Sequence, residues 1–389
     1  MLAPIVAEGT RPYLPVPEVV IQILLGIVLG PYVLGLVHPN TIITAMSDFG
    51  LTFLMFLAGT ELDWATVRQG RLGRAAGSWG VSVLLALAVG AMLHGTGLVL
   101  DSVIVGLCLT TTALGTLLPV LRDAGVLRTA LGPVVLSVGS VGEFGPIVAV
   151  ALLLTNRDVG ITVCLLLVFV AVAVLAALLA VQVHPPRVVS SMRRHLHSTA
   201  QLPVRISVLL VIVLVDLAVK LSLDVLLGAF AAGVVVRLFI TGQDSPQIVS
   251  KLEAIGFGFL IPIFFIESGV TFDLHALVHQ PKVLLLVPMF TALFLLTRSV
   301  PTWVFFRGVL DRVEARSLAL FSATGLPLIV VIMTLGVDEH RMRAQNAAAL
   351  VAAGMLSVPL YPLIGLRSLS RTRRAPRAPH LQGSPADDD

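Results

Sequence analysis

The sequence predicts an all-α polytopic membrane protein. It should have about twelve transmembrane helices in two inverted-topology repeats, two broken helices that cross, and both termini in the cytoplasm. Three observations carry that prediction: the composition, the placement of basic residues, and an echo between the two halves. Hydrophobic residues make up 57% of 389 residues and charged residues 12%, with a mean hydropathy of +0.98. Soluble domains carry about 25% charged residues, so this chain belongs in a bilayer. No polar stretch is long enough to hold a soluble active-site domain, which argues against an enzyme. The net charge of +4 comes from short basic clusters between apolar runs, a loop pattern rather than a nucleic-acid footprint. Cys108 and Cys164 both lie inside apolar runs, so no disulfide framework is implied.

Apolar segments run over residues 17–37, 43–60, 75–95, 100–121, 131–156, 159–183, 203–220, 223–240, 253–271, 282–306, 316–336 and 345–366. Most approach the ~20 residues a helix needs to cross ~30 Å of hydrocarbon. The short polar patch Lys220–Asp224 is all that separates the seventh from the eighth. These segments divide the chain into a short cytoplasmic N-terminus (1–16), one transmembrane domain (17–366) and a tail (367–389). Within the domain, repeat one covers about 17–156, a linker helix 159–183 and repeat two about 203–366. The first run ends in Gly-Pro rather than a small-residue cleavage site, so no cleavable signal peptide is read. The tail is basic, then Pro-rich, then acidic, and is expected to be disordered; it is too short for a nucleotide-binding domain.

Orientation follows from Lys and Arg. One set of alternate loops, with both termini, holds 20 of the 26 basic residues and the other set holds 5. The positive-inside rule therefore places both termini in the cytoplasm. The residue left over is Arg298, inside the tenth segment.

The halves resemble each other. FLMFLAGTELD (53–63) in the second segment pairs with IFFIESGVTFD (263–273) in the ninth at an offset of 210, matching Gly59 to Gly269 and Asp63 to Asp273. Thr112–Gly115 in the fourth pairs with Ser322–Gly325 in the eleventh at the same offset, and LLGIVLG (24–30) resembles LLGAFAAG (226–233) at an offset of 202. Each pair is seven segments apart, an odd number, so the copies run oppositely through the membrane. Inverted repeats of this kind mark secondary transporters, which bind substrate at mid-membrane between broken helices. The fourth and eleventh segments are the expected broken pair. Pro119 leaves the carbonyl of Gly115 unpaired and Pro327 that of Ala323, with Ser322 and Gly325 beside the second break.

Glu143 is the sharpest single residue. It lies thirteenth in a 26-residue span that holds no other charge, and a carboxylate at that depth costs about 2.5–3.5 kcal/mol on insertion scales. Either a proton or a cation can neutralise it. Gly139, Gly142 and Gly145 recur every third residue and permit close helix approach. Pro146 frees the Gly142 carbonyl, which with the Thr111 or Thr112 hydroxyl is expected to complete oxygen coordination of a monovalent cation. Arg298 is the natural counter-charge and is expected near Glu143 or the broken-helix carbonyls, unless it snorkels to the cytoplasmic face. Glu267 is a second candidate acid. Asp216 and Lys220, four apart, suit a surface ion pair. No His, Cys or carboxylate spacing suggests a metal cage, and no cofactor is expected.

The successive stretches PEVVIQILLGIVLGPYVLGL, FGLTFLMFLAGTELD, LTTTALGTLLPVLRDAG, LLGAFAAGVVV and IPIFFIESGVTFDL resemble, in order, the monovalent cation:proton antiporters. The nearest branch contains sodium/proton and potassium-efflux antiporters. The resemblance implies a homodimer with a dimerisation domain and a core that moves like an elevator. By position it puts the ion-binding carboxylate on Glu143, with Gly142 where relatives carry Asp, Asn or Gln. It also puts the Ser/Thr motif of the unwound fourth helix on Thr111 and Thr112, the basic residue of the tenth helix on Arg298, and the unwound eleventh helix on Ser322 to Pro327. Many relatives carry a further helix before the one that starts near Pro17.

The expected function is therefore secondary exchange of Na⁺ or K⁺ for protons by competition at Glu143. One titrating carboxylate implies electroneutral 1:1 exchange. The partners are the transported ions, the bilayer and a second copy, with no nucleic acid. Two other classes compete on the residues alone: a sodium-coupled organic-anion symporter of similar architecture, and a non-transporting membrane sensor or subunit that keeps the fold.

Overall fold

The computed structural model describes residues 18–60, 71–153, 159–182, 201–221, 223, 225–239, 245–272, 274–275 and 281–374. Within them the chain is helical throughout. The helices are α1 (Glu18–Leu29), α2 (Thr41–Thr60), α3 (Arg71–Gly95), α4 (Ser102–Leu109), α5 (Leu114–Asp123), α6 (Gly132–Leu153), α7 (Val159–Gln182), α8 (Leu202–Lys220) and α9 (Val225–Phe239). Next, α10 joins Ser245–Ile255, the π-turn Gly256–Leu260 and Ile261–Val270 into one rod, and α11 likewise joins Pro281–Phe294, the π-turn Leu295–Ser299 and Val300–Phe306. The chain continues with α12 (Arg312–Ser322), α13 (Pro327–Asp338) and α14 (Ala344–Arg374). Each apolar segment of the sequence coincides with one helix or one broken pair. Seven helical stretches among the described residues are long and apolar enough to cross a membrane.

Three boundaries differ from expectation. The first break lies at Thr110–Ala113, upstream of Gly115 and Pro119, both of which fall inside α5; the Pro119 side chain lies outside the described set. The second break lies at Ala323–Leu326, and Pro327 opens α13. Its missing N–H costs nothing at a first helical position, so it starts a helix rather than interrupting one. Finally, α14 continues to Arg374, into the segment expected to be disordered, because Leu366 and Leu369 pack on the apolar cluster of Val126, Leu131 and Leu318. Asp63, Asp273 and the tail beyond Arg374 lie outside the described residues.

The helices group into two blocks. In one, α1 lies along α10 and α9 along α2, with α8 on α9. In the other, α3 packs on α4 and α6, and α14 packs on α11, α12 and α13. Backbone-to-backbone glycine seams hold the first block. A Cβ on Gly26 would overlap the Ile266 carbonyl oxygen and sit 2.9 Å from the Gly269 Cα, and a Cβ on Gly233 would overlap the Phe56 carbonyl and sit 2.9 Å from the Gly59 Cα. Only glycine fits at such crossings. The reciprocal contacts match as well: Gly269 meets the Ile23 carbonyl, and Gly59 meets the Phe230 carbonyl. These matched seams relate Gly59 to Gly269 at the offset of 210, and Gly26 to Gly233 at 207. The offset of 202 read from LLGIVLG and LLGAFAAG is thus replaced by 207, because repeated Leu and Gly let the sequences slide.

The second block begins its two broken helices alike. Asp101 Oδ1 accepts from the N–H groups of Val103 (2.7 Å) and Ile104 (3.1 Å), and Asp311 Oδ1 accepts from Val313 and Glu314 (both 2.8 Å). These carboxylates satisfy the orphan donors of a helix start, and they are again 210 apart. However, α4 has 8 residues and α12 has 11. The extra turn moves the second break to an offset of 213, so Thr111 corresponds to Thr324 and Thr112 to Gly325.

Candidate ion-binding site at the helix crossing

Where the broken helices cross, their extended links bind one another. The Ala113 N–H donates to the Thr324 carbonyl (2.7 Å), and the Thr112 hydroxyl donates to the Ser322 carbonyl (2.6 Å). Each link is also held from its own side. The Thr112 N–H donates to the Gly142 carbonyl of α6 (2.8 Å), and the Gly325 N–H donates to Ser357 Oγ of α14 (3.2 Å). Pro146 has no N–H to bond the Gly142 carbonyl, so that carbonyl is available to receive Thr112. It is therefore already an acceptor within the protein. Thr111 donates its hydroxyl to the Cys108 carbonyl (2.9 Å) and keeps its oxygen lone pairs.

The π-turn of α11 faces this crossing with three consecutive residues. Thr297 Oγ1 lies 3.0 Å from the last carbonyl of α4, that of Leu109. Arg298 donates from Nε to Thr112 Oγ1 (3.0 Å) and from Nη2 to the Val138 carbonyl of α6 (3.2 Å). Ser299 donates to the Ala319 carbonyl of α12 (2.6 Å). An α-helix turns 100° per residue and cannot aim three neighbours at one target; the wide turn, where Val300 N–H reaches back to the Leu295 carbonyl, helps them do so. Pro301 contributes by removing one α-helical donor.

Arg298 is fully buried, so it does not snorkel to a face. Its Nη2, together with Thr112 Oγ1, occupies the space where a side chain at position 142 would begin. Any such side chain would have to displace the Arg298 guanidinium and the Thr112 hydroxyl. Glu143, the next residue, is buried at 7% exposure. The other two glycines of the stripe also receive neighbours, with Leu114 of α5 against Gly139 and Trp79 of α3 against Gly145. One residue beyond Glu143, Phe144 stacks tilted on Phe230 of α9, ring centroids 4.4 Å apart. Past that pair, Ile147 and Val150 of α6, Leu226 and Leu227 of α9 and Leu328, Val331 and Ile332 of α13 form an apolar layer between the blocks.

The crossing therefore gathers Thr111, Thr112, Gly142, Arg298, Ser322 and Gly325, with Glu143 adjacent. It does not gather Glu267, which accepts from Ser47 Oγ of α2 (3.3 Å) in the glycine-sealed block. Asp216 and Lys220 form an exposed i,i+4 pair at 2.6 Å. Thr297, Ser299 and Ser357 were not singled out from sequence. Hydroxyls in membrane helices usually bond their own preceding turn, and the one available signal was their nearness to Arg298 and Pro301 or to Pro359.

A profile of the transmembrane sodium/hydrogen exchangers matches residues 1–365. The chain belongs to that family. It is 28% identical over 369 residues to a putative Na⁺/H⁺ antiporter, YjbQ, of Bacillus subtilis, covering 90% of this chain and 58% of that one. A probable Na⁺/H⁺ antiporter of Methanocaldococcus jannaschii is 23% identical, covering 90% of this chain and 89% of its own. Among solved structures, that of the sodium proton antiporter MjNhaP1 at pH 8 matches with a TM-score of 0.67 over 96% of this chain and 94% of that one, at 16% identity. That likeness shows a shared fold. With its apolar helices, family membership makes this a multi-pass membrane protein of the cell membrane, and its relatives are transporters rather than enzymes.

Proposed function

We propose that this exchanger trades one monovalent cation, Na⁺ or K⁺, for one proton, the two competing for Glu143. What supports the proposal is a buried carboxylate, Glu143, one residue along α6 from the Gly142 carbonyl that binds the first helix break. Loaded with either ion, the site carries the same net charge, and displacement of one block along the other would carry it past the Phe144–Phe230 contact. Thr111 offers hydroxyl lone pairs to the cation, while Thr112 and Gly142 shape the site through bonds they already make. Arg298 keeps a fixed positive charge that ties α11 to the crossing. With one titrating acid the exchange is electroneutral, and the chain works as a homodimer.

The test is exchange in proteoliposomes with Na⁺, K⁺ and Li⁺ across pH. Cation-driven proton flux should be present in the wild type and lost in Glu143→Gln. Full flux in that variant would sink the proposal. A transport rate at saturating cation that responds to membrane potential would overturn the electroneutral stoichiometry alone.

A further inference from the structure

Thr111 and Thr324 occupy the same place in the two repeats, each the second residue past the end of a half-helix, yet they use their hydroxyls differently. Thr111 donates both its N–H and its Oγ1 to the Cys108 carbonyl, three residues back (3.3 and 2.9 Å). Thr324 donates its N–H to the equivalent carbonyl, that of Phe321 (3.2 Å), but its Oγ1 has no hydrogen-bond partner among the described residues. Thr324 is fully buried. The neighbouring hydroxyls are committed: Thr110 to Leu107, Thr112 to Ser322, and Ser322 and Ser299 to Ala319. Leaving a buried hydroxyl unused costs about 1–3 kcal/mol, and buried orphans of this kind are few in native proteins.

Near the crossing, Arg298 Nη1 and Trp79 Nε1 are also buried without a partner. Both are obligate donors and have nothing to offer a cation. Thr324 Oγ1 has lone pairs. Its carbonyl receives the Ala113 N–H, and its neighbour Gly325 lies against Thr111 Oγ1, at 2.7 Å from a Cβ built there. Thr324 therefore belongs to the same crossing as Thr111 and Thr112. Hard monovalent cations take oxygen ligands.

We propose that Thr324 is a cation ligand of the exchanger, an oxygen from the second repeat that binds Na⁺ or K⁺ and takes no part in proton binding. The inference rests on the exchange reading above and adds a residue specific to the cation half of the cycle. It is tested with Thr324→Val, which keeps the shape and removes the oxygen, and Thr324→Ser, which keeps the oxygen. In proteoliposomes Thr324→Val should raise the apparent KM for the cation about tenfold, the effect of losing one modest ligand, with an unchanged pH midpoint when the cation is set to the same multiple of each protein's KM. Thr324→Ser should stay within about threefold of wild type. An unchanged KM in Thr324→Val, or equal losses in both variants, would overturn the proposal.

Cation-induced thermal stabilisation of the purified protein, which requires no turnover, provides a second readout. It should weaken in Thr324→Val and persist in Thr324→Ser. If the valine variant does not fold, Thr324→Ala decides: retention of wild-type stabilisation overturns the assignment, and its loss supports it. Glu143→Gln, run alongside, separates the two ideas. Flux in that variant sinks the exchange reading, whereas a silent Glu143→Gln beside a wild-type-like Thr324→Val sinks only the ligand.

Discussion

The two blocks treat the internal repeat differently. In the glycine-sealed block the symmetry extends to individual carbonyls: Gly26 on Gly269 and Gly233 on Gly59 meet equivalent atoms in both copies. At the crossing it is broken in three ways. One half-helix is a turn longer, one threonine hydroxyl is unused, and the acid and the base each occur once. The repeat counterparts of Glu143 at the two offsets are Ala353 and Leu356, and those of Arg298 are Ala88 and Leu85. A duplicated frame thus carries one buried carboxylate from the first repeat and one buried guanidinium from the second. Symmetry persists where backbones must touch and fails at the crossing.

The largest expected effects test the symmetric side. Gly59→Leu and Gly269→Leu force a side chain into a carbonyl on opposite seams, and each should cost about 3 kcal/mol. Melting of the detergent-solubilised protein should fall equally for both; a clear difference would show that the seams are not equivalent. Next comes the asymmetric side. Arg298→Met removes the donors to Thr112 and Val138 and should cost about 2–3 kcal/mol, with loss of flux, whereas Leu85→Met in α3 should change melting by less than about 1 kcal/mol.

A finer comparison uses the two helix caps. Asp101→Ala and Asp311→Ala each remove a cap worth about 1 kcal/mol. Asp101 also holds Arg341 through Oδ2, at 2.8 Å from Nε and 2.7 Å from Nη2, and no cation pairs with Asp311 among the described residues. The Asp101 variant should therefore melt lower, by up to a further ~1 kcal/mol. Because that pair is partly exposed, the excess should shrink as salt is raised. Equal melting at low salt would remove this asymmetry. A further small effect belongs to Thr297→Val, which removes a hydroxyl placed between the Leu293 carbonyl of its own turn (2.8 Å) and the Leu109 carbonyl of α4 (3.0 Å) and should cost less than about 1 kcal/mol.

Much of this architecture was legible in the sequence, because a bilayer demands runs of apolar residues long enough to be counted. Glu143 and Arg298 stood out for the same reason, since charge at depth is costly. The breaks were harder to place. In the sequence proline marks the expected breaking point, yet Pro327 begins a helix and the first break ends at Ala113, before Gly115 and Pro119. What unwinds the chain there is the crossing itself, where Ala113 and Thr112 find partners in another helix, and no local pattern encodes a partner 210 residues away. The Gly142 carbonyl was expected to face an ion for a related reason: sequence showed that Pro146 frees it but could not show that Thr112 claims it.

The wide turn in α11 has a consequence for what this helix tolerates. Over the same rise it uses one residue more than an α-helix would. Leu296, within it, is 44% exposed, so exchanging it for another apolar residue should pass almost unnoticed. Excising it would let the rod rewind into a plain α-helix over the same rise, leaving Thr302 and Phe306 on the faces they now cover but removing the bulge that aims Thr297, Arg298 and Ser299 at the crossing. At Leu296, the presence of a residue matters more than its identity.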